Sequence, residues 1–100
     1  MQLSFSESKP DIILEKIQET LGNRPLAKIM SFEMDLAANE FLVKFSKMGT
    51  TTLKFDAQIQ DSGIQLSLAK EKIALAHKPF YGEVKNKMIK VLGRAGATVS

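Results

Sequence analysis

Along most of this chain, apolar and polar residues take turns, and the period of the alternation changes at identifiable places. Met1, Leu3 and Phe5 alternate with Gln2 and Ser4, the period of two expected of a strand with one buried face. From Ser8 the spacing lengthens. Ser8 offers a capping hydroxyl, Pro10 suits a first helical turn, and Asp11 faces the positive helix end. Ile13, Leu14, Ile17 and Leu21 then recur at three and four, with Glu15, Lys16, Gln18 and Glu19 on the other side. Gly22 and Asn23 predict the helix end, and Arg24-Pro25 blocks its resumption.

The middle returns to period two. Met30, Phe32, Met34 and Leu36 alternate with Ser31, Glu33 and Asp35. After Ala37-Ala38-Asn39, the positions Phe41, Val43 and Phe45 alternate with Leu42, Lys44 and Ser46, and Gly49-Thr50 turns the chain. Leu53, Phe55, Ala57 and Ile59 follow against Lys54, Asp56, Gln58 and Gln60. Asp61-Ser62-Gly63 is a strong turn signal before Ile64, Leu66 and Leu68. At Lys70-Glu71-Lys72 the alternation slips, and Ile73 and Leu75 resume it in the opposite parity. A bulge in one long strand and a tight turn into a new one explain the slip equally.

The last element begins at Lys78-Pro79, where Tyr81, Val84, Met88, Val91 and Leu92 form an apolar stripe. Gly93 is the expected cap, and residues 97–100 are expected as a frayed tail behind one domain over residues 1–96. Gly82 inside this helix costs ~1 kcal/mol against alanine, which close packing of the helix start on the sheet would explain, or else a hinge.

Short connections between strands predict antiparallel neighbours. The fold class is therefore α+β: a single antiparallel meander of four to six strands. Two helices, one near the N-terminus and one at the C-terminus, pack on one face. The opposite face, carrying Glu33, Asp35, Lys44, Lys54, Asp56 and Gln58, is built to meet water. Phe32, Phe45 and Phe55 are expected on the same, buried side.

Composition narrows the chemistry. One hundred residues suffice for a single domain. There is no cysteine, so disulfides, thiolate metal sites and cysteine nucleophiles are excluded. No apolar run approaches the ~20 residues of a membrane-spanning helix, and the N-terminus is unlike a signal peptide. The expected location is the cytoplasm. Of the formal charge of +3, a surplus of four belongs to residues 78–100, where Lys78, Lys85, Lys87, Lys90 and Arg94 face only Glu83.

Candidate chemistry is sparse. His77 is the only histidine. It stands at an expected strand end with no partner set at catalytic or ligand spacing, and reads as hydrogen-bonded or solvated. Glu33 and Asp35 share a strand face, and Asp56 lies on another, but all three alternate with core residues among lysines. No phosphate loop or nucleophile elbow is present. No catalytic residue, metal or cofactor is predicted. Two surfaces remain. One is an apolar seam between helix and sheet, lined by Met30, Met34, Phe80, Tyr81 and Met88, whose flexible or flat side chains adapt to apolar ligands. The other is a basic face of Lys85, Lys87, Lys90 and Arg94 on the last helix.

The segments Gly63-Ile64-Gln65-Leu66-Ser67-Leu68 and Ile73-Ala74-Leu75-Ala76-His77-Lys78-Pro79-Phe80 precede a closing helix with Val84, Met88-Ile89 and Val91-Leu92. Together with the order of elements, this wording resembles the small bacterial polyhydroxyalkanoic acid system proteins. That resemblance implies association with storage-polymer granules and supplies no catalytic motif. The charged break at Lys70-Glu71-Lys72 departs from it. The functional expectation is a non-enzymatic accessory or binding module of the bacterial cytoplasm. It would associate with an apolar ligand, a granule surface or a protein partner. The alternative is a nucleic-acid-binding domain using the basic helix. Pairing of sheet edges would allow a homo-oligomer, which Lys70 and Lys72 would oppose.

Overall fold

The computed structural model describes residues 1–22 and 25–99. Its strands are β1 (Gln2–Phe5), β2 (Met30–Asp35), β3 (Glu40–Ser46), β4 (Thr50–Gln60), β5 (Gly63–Lys72) and β6 (Thr98–Val99). The helices are α1 (Pro10–Leu21) and α2 (Tyr81–Arg94), with short 3-10 helices at Pro25–Lys28 and Leu75–Phe80. All strands join one antiparallel sheet in the order β2-β3-β4-β5-β1-β6. Strands β2 to β5 form the meander. β1 lies outside it against β5, so the chain must cross the sheet between β1 and the far edge at β2. Helix α1 makes that crossing and packs on α2 and β2.

The alternation places every expected aromatic on one side. Phe32, Phe45 and Phe55 are all buried together with Phe41. Phe41 pairs across β3 and β4 with Phe55, and both Phe32–Phe41 and Phe41–Phe55 have ring centroids 6.3 Å apart. Ile13, Ile17 and Leu21 of α1 and Val84, Met88, Val91 and Leu92 of α2 close the same core. The other face carries the ion pairs Glu33–Lys44 and Glu40–Lys54.

The parity slip is a bulge within one strand. Lys54 pairs with Lys70 but Phe55 pairs with Leu68, leaving Ala69 as the extra residue. Ile73 and Leu75 therefore do not continue a strand. Leu75 opens the second 3-10 helix instead and is exposed. β1 reaches along β5 only to Leu68, whose N–H donates to the Met1 carbonyl. Lys70 and Lys72 stand exposed on the part of β5 that runs past β1, where a charged side chain discourages further pairing.

Several local expectations shift. The α1 N-cap position is Lys9, and no side chain caps it. Pro10 forces the residue before it into an extended conformation, and that residue is Lys9 rather than a hydroxyl donor. Gly22, at φ +55°, ends α1, its N–H donating to the Gln18 carbonyl; Asn23 and Arg24 lie outside the described residues. At the end of α2 the capping glycine is Gly96, not Gly93. Ala97 N–H donates to Leu92 O and Gly96 N–H to Gly93 O, the paired bonds of a Schellman motif. The turn this creates returns the chain to β1, so Thr98–Val99, expected as part of a tail, forms β6.

A Cβ at Gly82 would meet nothing within 4 Å, so the close packing expected there does not exist. The same holds at Gly93, which is exposed inside the last turn of α2. Gly93→Ala is expected to raise stability by about 0.5–1 kcal/mol, because alanine loses less backbone entropy in a helix. Urea unfolding checks this as a higher midpoint at unchanged slope.

Candidate functional site: an apolar cleft beside a buried histidine

The second 3-10 helix packs against the β3–β4 hairpin, and His77 is the reason it does. The ring is fully buried, at 0% exposure, and both of its nitrogens are bonded. Nε2 lies 2.6 Å from the Lys47 carbonyl, which can only accept, so Nε2 carries the proton. In the neutral ring Nδ1 then accepts from the Thr51 hydroxyl at 2.6 Å. The Thr51 oxygen in turn accepts from the Ala74 N–H at 3.1 Å. The chain Ala74–Thr51–His77–Lys47 ties both arms of the hairpin to the 3-10 helix with each polar group matched. Thr51 and His77 have the connectivity of a nucleophile and base, but both are fully buried and no substrate reaches them. The histidine is a structural clamp.

The clamp also backs two aromatic rings. The His77 ring meets Phe45 edge-on at 5.2 Å and stands 5.8 Å from Phe80. Phe45 and Phe80 both line a cleft of about 310 Å³. The hairpin supplies Phe45, Lys47 and Met48 to its wall; the 3-10 helix supplies Ala76 and Phe80. Glu83, Val84 and Lys87 come from the first turns of α2. Phe80 is 43% exposed and Met48 86%. Leu75, next to the lining residue Ala76, is 81% exposed. Met48 and Phe80, two of the six exposed large hydrophobics among the described residues, thus line the same cleft.

Met48 is also conformationally costly. Its φ of +58° lies in the left-handed region, which side chains other than Gly, Asn and Asp enter at a cost of about 1–2 kcal/mol. Gly49 follows at φ +125°, and Lys47 N–H closes the turn on the Gly49 carbonyl.

Of the five seam residues, only Phe80 lines this cleft. Met30 is buried at the start of β2 opposite Phe45, and Met34 is half-buried opposite Phe41. Met88 is fully buried in the core, so the middle of the helix–sheet junction is filled. Tyr81 packs half-buried against that core. The opening lies at the hairpin end instead. Lys47, Met48 and Ala76 escaped the sequence reading because turn and 3-10 positions carry no periodic signal.

The basic residues divide. At about 100° per residue, Lys87, Lys90 and Arg94 fall within about 60° of one another on α2, and Lys85 points to the opposite flank. There Lys85 pairs with Glu71 at 3.1 Å and lies over the Tyr81 ring. The Tyr81 hydroxyl is buried without a hydrogen bond of normal geometry. Burial first, and the nearby Glu71 carboxylate second, push this phenol well above the ordinary tyrosine range. The folded protein keeps that proton at pH values where an unfolded chain releases it, so stability falls as pH rises past ~10. Tyr81→Phe is expected to leave neutral-pH stability unchanged or slightly raised and to flatten the alkaline loss. Unfolding midpoints across the alkaline range check this, with the absorbance of the single tyrosine following its ionisation.

The carboxylates on the sheet's wet face do not converge. Glu33 pairs with Lys44, Asp35 accepts from the Ala38 N–H within its turn, and Asp56 is exposed. Among the described residues, no three acids, histidines or cysteines group as metal ligands, and no helix is long and apolar enough to cross a membrane. The chain matches no protein-family model, no curated protein and no solved structure.

Proposed function

We propose that this chain is a non-enzymatic binding module that receives an apolar group in the cleft between the β3–β4 hairpin, the second 3-10 helix and α2. Met48 carries the reading. A methionine in the left-handed region that leaves most of its side chain in water is unfavourable twice over, and such local cost points to a role outside folding. Covering Met48 and Phe80 with an apolar ligand recovers exposed surface at roughly 25 cal/mol per Å². Cytoplasmic association with a storage-polymer granule, which the family resemblance implies, is one setting for such a module.

The test separates folding from binding. Met48→Asn suits the left-handed turn and is expected to raise stability by about 0.5–1 kcal/mol. The same change should weaken binding of straight-chain octanol at least about three-fold, through lost apolar contact. Phe80→Ser should weaken it more. Octanol that does not bind the native chain, or binds both variants unchanged, overturns the proposal.

Nucleic-acid binding through α2 draws on Lys87, Lys90 and Arg94 alone, since Lys85 faces β5. Three phosphate contacts give a log–log salt slope of only about −3 on duplex DNA, and Glu83 sits on the same face. The cleft is the better-supported surface.

A further inference from the structure

We infer that the group received by the cleft is the chain of a medium-length alkanoate whose carboxylate is held between Lys47 and Lys87; this rests on the apolar-cleft reading. The wall is divided. Phe45, Met48, Phe80 and Val84 are apolar, whereas Lys47, Lys87 and Glu83 bring charge to the same opening. Among the described residues, none of these three takes part in an ion pair. One ammonium comes from the hairpin and the other from α2, so an anion seated between them bridges the two walls. Glu83, one helical turn before Lys87, reduces the surplus to a single positive charge. That balance fits one carboxylate and leaves a phosphate dianion under-compensated.

Size sets the chain length. At ~30 Å³ for a water-sized group, the volume holds about ten such groups. A single chain of eight to ten carbons, roughly, fills it. The second chain and headgroup of a membrane lipid would be left outside, so a free alkanoate is the better match.

Calorimetric titration of the full chain with butanoate through dodecanoate tests this. Affinity should rise about two- to four-fold per added methylene and level off near ten carbons. Octanoate should bind about five-fold more tightly than octanol, the worth of a partly exposed charge contact. Lys47→Met and Lys87→Met keep the apolar stem of each side chain and remove its charge. Each should cost octanoate about five-fold while leaving octanol within about two-fold. Octanol binding as tightly as octanoate, with both lysine variants silent, overturns the carboxylate assignment and leaves the cleft reading standing. Binding of neither compound overturns both. Binding of anionic phospholipid vesicles in place of octanoate overturns the free-alkanoate assignment.

Discussion

Gly63→Ala should cost about 4 kcal/mol or more, a large part of the ~5–15 kcal/mol that holds a domain together. Gly63 has φ +144°, and a Cβ there would lie 2.0 Å from the Phe5 carbonyl oxygen and 3.1 Å from its carbon. The obstacle is backbone, which cannot rotate aside. The conformation alone disfavours a side chain by about 1–3 kcal/mol, and relief of the clash requires β1 to lift from β5. Leu3 and Phe5 would leave the core with it, both now almost wholly buried. Gly22 is the internal control. It also has positive φ, at +55°, but the nearest atom to its Cβ is the Glu19 carbonyl oxygen at 3.7 Å. Gly22→Ala should cost only the strain of its backbone conformation, about 1–3 kcal/mol. Urea unfolding of both variants decides the matter, and equal losses would contradict the close-approach explanation.

Thr51→Val is expected to cost about 2–4 kcal/mol although it hardly changes the side chain's shape. It strands His77 Nδ1 and the Ala74 N–H, and a buried polar group without a partner costs about 1–3 kcal/mol. His77→Leu strands the Thr51 hydroxyl's proton and the Lys47 carbonyl and should cost a similar amount. The double variant should lose about 1–2 kcal/mol less than the two single losses combined, because removing both members of a pair leaves fewer orphaned groups. Unfolding free energies for the four proteins of this cycle test it. Strict additivity would mean that Thr51 and His77 do not act as a unit.

The sheet was legible because its rule is local. Phe32, Phe45 and Phe55 share a parity with their neighbours, and parity decides the face. The position of β1 was not legible, since pairing Phe5 with Ile64 depends on how α1 crosses the core rather than on anything near Phe5. Thr98–Val99 becomes a strand only because the turn at Gly96 aims it at β1. Likewise Lys70–Lys72 showed that a parity slip exists, but its physical source, Ala69, is defined by the partner strand.

The site was legible only in part. Phe80 stood out as an aromatic at a helix entrance, and Lys87 as a member of a basic helix. Met30 and Met88 belong to the same residue classes, yet they face the core. His77 was readable as a hydrogen-bonded histidine, whereas its partners come from a hairpin 26 and 30 residues earlier in the chain. Met48 carried no signal at all, because its exposure and left-handed φ belong to the hairpin turn and not to any repeating pattern.

The most direct measurement is a methyl NMR titration of the native chain, labelled at methionine, alanine and valine, with straight-chain octanol. Resonances of Met48, Ala76 and Val84 should shift together and saturate at one ligand concentration, while those of Met30 and Met88 stay in place. Shifts centred on Met30 and Met88, shifts at Val99 on the distant sheet edge, or no saturable change at Met48 would contradict an account in which the hairpin-end cleft is the working surface.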